Sequence, residues 1–156
     1  MRYCTRKGVH VDRCASAWLI RRFLDPEATF VFVDGHAAAP DAIPFDMIGV
    51  DWGHHGDHCT FETIVDRHGL SADDPAMAQL ARIIHGADIV ADADETLESA
   101  GVDLLFHGLR LISASDEETL ERGYVVMEAL YAALCAPSGA VAALATTATR
   151  SREPEP

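Results

Sequence analysis

Within Gly53-His54-His55-Gly56-Asp57-His58-Cys59-Thr60-Phe61-Glu62 the chain gathers imidazole, carboxylate and thiol donors around a flexible glycine. A divalent metal ion needs several such donors converging at about 2.0–2.3 Å, and a loop running into a helix can turn them inward. With a helix beginning near Asp57, His58 and Glu62 stand at i and i+4 on one face, and His54 or His55 folds over its N-terminus. A solvated loop with idle histidines would have the same composition, so spacing alone leaves ligation and solvation as alternatives.

A second constellation, His85-Gly86-Ala87-Asp88, sets an imidazole and a carboxylate three residues apart at a helix end. Terminal His and Asp residues also cap helices, so this pair carries weight only if its helix packs beside the first one. Glu62, His54, His85 and Asp88 would then complete a mixed N/O shell suited to iron, manganese or zinc, with Asp57 or Asp12 supporting it. In His10-Val11-Asp12-Arg13, Asp12 is either functional or a helix N-cap, and Arg13 is a partner for nearby carboxylates. Cys59, at a helix start, is either an activated thiol or a small buried side chain. Cys14 and Cys135 read as structural, and His36, His68 and His107 as surface or capping residues.

The elements that must position these groups follow from periodicity. Ala15, Trp18, Leu19 and Phe23 predict a helix over Asp12 to Phe23, capped by Asp12 and stopped at Asp25-Pro26. Ala28 to Val33 predicts a buried strand closed by Asp34-Gly35, and the apolar run Phe45 to Val50 a second strand pairing with it. Helices are expected from Asp57 or His58 to Gly69, from Pro75 to about His85-Gly86, from Glu95 to Leu111 with a break at Gly101 or Gly108, and from Asp116 to Leu134. The whole is a mostly helical α+β domain over residues 1–135 with a small sheet in its N-terminal half, and 136–156 is a flexible tail.

Composition narrows the function classes. The 156 residues fit one domain, and 49% apolar with 24% charged residues is the balance of a folded globular chain. Twenty-five acidic residues against twelve Lys plus Arg leave a net charge of −13 with no basic run, which argues against direct nucleic-acid binding. No signal-like or bilayer-length apolar segment is evident, so the chain reads as cytoplasmic, without membrane contact, its four scattered cysteines reduced. Phosphate-binding glycine loops, dinucleotide fingerprints and Gly-x-Ser-x-Gly elbows are absent from the sequence.

The blocks Val11-Asp12-Arg13 through Ala17-Trp18-Leu19-Ile20-Arg21-Arg22-Phe23 with Asp25-Pro26, His54-His55-Gly56-Asp57 with Cys59-Thr60-Phe61-Glu62, and His85-Gly86-Ala87-Asp88 together resemble the chromate resistance family typified by the C-terminal domain of ChrB, in its stand-alone form. The resemblance implies that Asp12, Arg13, His54, Gly56, Cys59, Phe61, Glu62 and Asp88 are hallmark positions. It makes His54, Glu62 and Asp88 the core ligands of one divalent metal, joined by His55 and His85. Ser16 stands where many relatives carry cysteine. The expected role is metal binding in a chromate or oxidative-stress response, with possible redox activity on chromate, peroxide or superoxide. The alternative is a non-catalytic metal or chromate sensor acting through a partner, as a homodimer on the last amphipathic helix. At −13 the chain repels a dianion at long range, so an oxyanion site has to be local, built from a metal or from Arg13, Arg21 and Arg22.

Overall fold

The computed structural model describes residues 1–92 and 96–137. The order is β1 (Arg2–Arg6), α1 (Val11–Leu19), β2 (Thr29–Val33), β3 (Ile43–Pro44), α2 (Thr60–His68), α3 (Pro75–Asp88), α4 (Ser99–Ile112) and α5 (Asp116–Cys135). The strands form a parallel sheet in the order β2-β1-β3, with Cys4 level with Val31 on one side and Pro44 on the other. This is the expected α+β class, a small sheet in the N-terminal half against helices.

The central strand was not predicted. Tyr3, Cys4 and Thr5 are all buried, because a middle strand of a parallel sheet is covered on both faces and shows no alternation. The strand expected at Phe45–Val50 is corrected to Ile43–Pro44, and it pairs with β1 instead of β2. Asp46 then turns into the left-handed region at φ +47 and Gly49 follows at φ +76, so the run cannot stay extended, and Phe45 donates its N–H to Cys4 O at 2.9 Å and bridges to Trp52 before the chain turns.

In α1 all nine residues are buried, Asp12, Arg13 and Ser16 included. The predicted cap is also corrected. His10 occupies the N-cap position, and Asp12 lies inside the first turn with its side chain committed to another helix, as described below. The helix runs on through a wider turn over Ile20–Leu24, closed by Asp25 N–H donating to Ile20 O at 2.8 Å, and ends before Pro26.

The later helices follow their local signals. Glu62 accepts the Cys59 N–H at 3.0 Å to start α2, and Gly69 ends it at φ +63. Asp74 accepts the Met77 N–H at 3.0 Å ahead of Pro75 in α3, which continues past Gly86 to Asp88. Helix α4 is unbroken at Gly101 and Gly108, while the start expected at Glu95 lies outside the described residues. Ser115 accepts the Glu118 N–H at 3.2 Å at the head of α5. Of the tail expected at 136–156, residues 138–156 also lie outside the described residues.

Around α1, Trp18 stacks on Phe61 of α2, meets Tyr131 of α5 at a tilt, and donates its indole N–H to Glu128 at 2.9 Å. Gly123 lets α5 approach: a Cβ there would lie 2.2 Å from the Cys14 sulfur. No helix among the described residues is long and apolar enough to cross a membrane.

Candidate functional site

The first turn of α1, the segment after β3 and the last turn of α3 meet at the carboxyl edge of the parallel sheet, the edge where open α/β sheets generally place their ligands. There the side-chain oxygens of Asp12 and Asp88 and a ring nitrogen of His54 lie within 4.8 Å of one another. His54 Nε2 stands 3.2 Å from Asp12 Oδ2, 3.4 Å from Asp88 Oδ2 and 3.6 Å from Asp46 Oδ1.

Asp12 is the hub. Its Oδ2 accepts the Thr60 N–H at 2.9 Å and its Oδ1 the Phe61 N–H at 2.8 Å, so a residue of α1 satisfies the orphan donors at the N-terminus of α2. The same carboxylate therefore joins two helices and faces His54. Asp46 is held by Arg13, whose Nη2 lies 2.6 Å from its Oδ2, and by the Thr60 hydroxyl, which donates at 3.2 Å. Arg13 is itself buried, its Nη1 donating to Gly8 O at 2.9 Å.

The electrostatics of this cluster are unbalanced towards negative charge. Burial and then the neighbouring Asp12 push Asp88 up to about 7, against the opposing pull of His54. Burial and then Asp12 likewise raise Asp46, with Arg13 and His54 opposing. The hydrogen bond to Asp12, followed by its charge and those of Asp88 and Asp46, raises His54. Three carboxylates thus share one arginine and one imidazole, and two of the three hold protons more tightly than an ordinary aspartate.

The site is accessible on one side. His54 is 44% exposed and, with Arg6, Asp46, Met47, Ile48 and Gly49, lines a pocket of about 340 Å³. Arg6 also borders an adjoining cleft of about 430 Å³ with Lys7, Arg13 and His36. Basic side chains therefore flank the acidic cluster.

The other expected site residues are placed as follows. Glu62 and His85 are brought together, Oε2 to Nδ1 at 2.6 Å, and His85 Nε2 lies 3.1 Å from Asp92. They form a partly buried pair linking α2 to α3 beside the Asp12 cluster instead of pointing to one centre with His54. His55 turns away, its Nε2 3.0 Å from Asp51 O. Cys59 is buried, and burial pushes its thiol above the ordinary range. His58 lies 3.2 Å from Asp66. Arg21 and Arg22 engage Glu121 and Glu128. Sequence reasoning missed Asp46 and Arg6. Their one available signal was position, since each stands at or just beyond the carboxyl end of a strand, and those strand limits were not foreseen.

A fold of this kind, a buried helix whose first turn carries acid and arginine at the edge of a small parallel sheet, defines a helix-rich α+β domain with an acid–imidazole site. Residues 3–134 match the family described as ChrB, C-terminal domain, and the chain belongs to that family. It is 35% identical over 136 residues to Protein ChrB of Cupriavidus metallidurans, covering 86% of this chain and 41% of that relative. The chain thus spans about two fifths of the length of the curated relative it matches. No solved structure matches it.

Proposed function

We propose that this chain is a binding protein of the chromate-resistance response that holds one divalent cation, iron, manganese or zinc, between Asp12, His54 and Asp88, with Asp46 beside them. The observation that carries the reading is the convergence of these groups. Donors bound at about 2.0–2.2 Å to a single ion sit roughly 3 Å apart, and His54 Nε2 already stands 3.2 and 3.4 Å from two carboxylate oxygens. The donor set, hard oxygen with one imidazole, suits those metals and not copper(I). An ion would also offset the burial and the carboxylate repulsion that raise Asp88 and Asp46. When bound, such an ion supplies Lewis-acid chemistry and, for iron or manganese, electron transfer to a small oxidant. Asp12 orients the cluster through the α2 backbone, Arg13 fixes Asp46, and the pocket beside His54 admits a molecule of the size of peroxide, superoxide or chromate.

Elemental analysis of the purified protein tests this. The expected result is one equivalent of metal, lost in His54→Ala and Asp88→Asn with the fold kept by circular dichroism. Glu62→Gln is expected to keep the ion while weakening the α2–α3 link. Metal-free protein that never takes up an equivalent overturns the assignment.

A second reading, a non-turnover sensor of an oxyanion, is favoured by Arg6, Lys7 and Arg13 around the adjoining cleft. In a chain of net charge −13 three cationic side chains line this cleft where the parallel strands end, with Lys7 paired to Asp34, itself part of the lining, and Arg13 to Asp46. Turnover separates the two readings. Catalytic consumption of chromate or peroxide by the metal-loaded protein supports an oxidoreductase, and saturable chromate binding without turnover supports the sensor.

A further inference from the structure

Helix α4 buries Val102 and Phe106 against the rest of the domain, and its opposite face is apolar and open. Leu104 is 70% exposed and Leu111 73%, with Leu105 and Ile112 also exposed. Among them, Gly101 and Gly108 help line a shallow groove of about 610 Å³ with Leu109. The residues lining this groove include no Asp or Glu, although the chain holds 25 of them. A second molecule of charge −13 is repelled by most of this surface, and the α4 face is a place where that repulsion is locally absent.

The two glycines have no intrachain explanation. A Cβ at Gly123 or Gly86 would collide with Cys14 or Ser99, whereas a Cβ at Gly101 or Gly108 would meet nothing within 4 Å. Glycine is the least favourable helix residue after proline, so its recurrence seven residues apart in open positions points to an approach from outside the chain.

The pattern is self-complementary. About a two-fold axis midway between Leu105 and Gly108, antiparallel helices set Leu105 over Gly108 and Ile112 over Gly101 of the second copy, and the symmetry repeats both contacts. Large side chains fill glycine hollows, which is what an isologous interface requires. We propose that the outer face of α4 is a homodimer interface in which α4 packs antiparallel on α4 of a second copy of this chain. This places the dimer on α4 instead of α5, and it is independent of whether the Asp12 cluster holds an ion.

Sedimentation equilibrium of the full chain tests it. The expected result is a mass of two chains at micromolar concentration. Leu105→Glu, which would bury a charge in the interface, is expected to weaken association by at least about 100-fold with an unchanged circular dichroism spectrum. Gly108→Leu fills the hollow without adding charge and is expected to weaken it as well. Val125→Glu, on the exposed side of α5, is expected to leave the dimer intact. A wild-type chain that stays monomeric up to about 100 times that concentration overturns the proposal. So does a dimer that survives both α4 substitutions or is broken by Val125→Glu.

Discussion

At the scale of single residues, Asp12 accepts two backbone N–H groups from α2 while facing His54. Asp12→Ala leaves both buried donors unpaired, and the expected loss is about 2–4 kcal/mol by chemical denaturation, since each orphaned donor costs roughly 1–3 kcal/mol. Asp12→Asn, which keeps an accepting oxygen, should lose less. Asp88 gives the pH dependence its sign. Its carboxyl is raised to about 7, so the folded chain binds this proton more tightly than the unfolded chain does. The associated stability is present at acid pH and is lost as pH rises from about 4 through 7. His54, also raised, loses its contribution as pH climbs past its ordinary value, which adds to the same trend. Thermal melting in chelator should therefore show a midpoint that falls from pH 5 to pH 8, and Asp88→Asn should flatten the slope. A midpoint that rises over that range contradicts the electrostatic assignment.

Between elements, close approach replaces bulk. Helix α5 sits against α1 because Gly123 has no side chain: a Cβ would be 2.2 Å from Cys14 Sγ and 3.0 Å from Phe106. Gly123→Ala is expected to cost at least about 1–3 kcal/mol from overpacking, measured as a shift in denaturation midpoint. Pairing it with Cys14→Ala, which removes the sulfur it strikes, should recover part of that loss. The α2–α3 contact rests on the Glu62–His85 pair at 2.6 Å, which also brings Asp88, one turn beyond His85, into the cluster. Local signals made α2, α3 and α5 legible, because the N-cap residues Asp74 and Ser115 and the terminating Gly69 act within a few residues of the helix they bound. The central strand, buried on both sides, and the two-residue β3 left no periodicity to read.

For the molecule as a whole, net charge sets the terms of association. At −13, self-repulsion opposes the compact state and repels anionic ligands at low ionic strength. Raising salt from about 10 mM to about 150 mM, which shortens the Debye length from roughly 30 to 8 Å, is expected to raise the melting midpoint. On the proposed sensor reading it is also expected to speed chromate association measured by stopped flow, opposite to the salt dependence of an electrostatically steered anion binder. If association slows with added salt instead, the local basic cleft dominates over the net charge.

The amino-acid sequence by itself determined the class of fold, most helix limits and the family, because these depend on neighbours within a turn or two and on motif spacing. It also singled out His54, Asp88, Asp12 and Arg13 as chemical candidates. Which of the clustered donors face one another was decided by tertiary structure alone. Asp12 reads locally as a cap for its own helix, yet it caps α2, and Asp46 joins the cluster while Arg6 borders its pocket, both from the ends of parallel strands. Glu62 and His85 satisfy each other. Those outcomes depend on how helices and strands distant in the chain cross, and no periodicity within a single segment encodes that crossing.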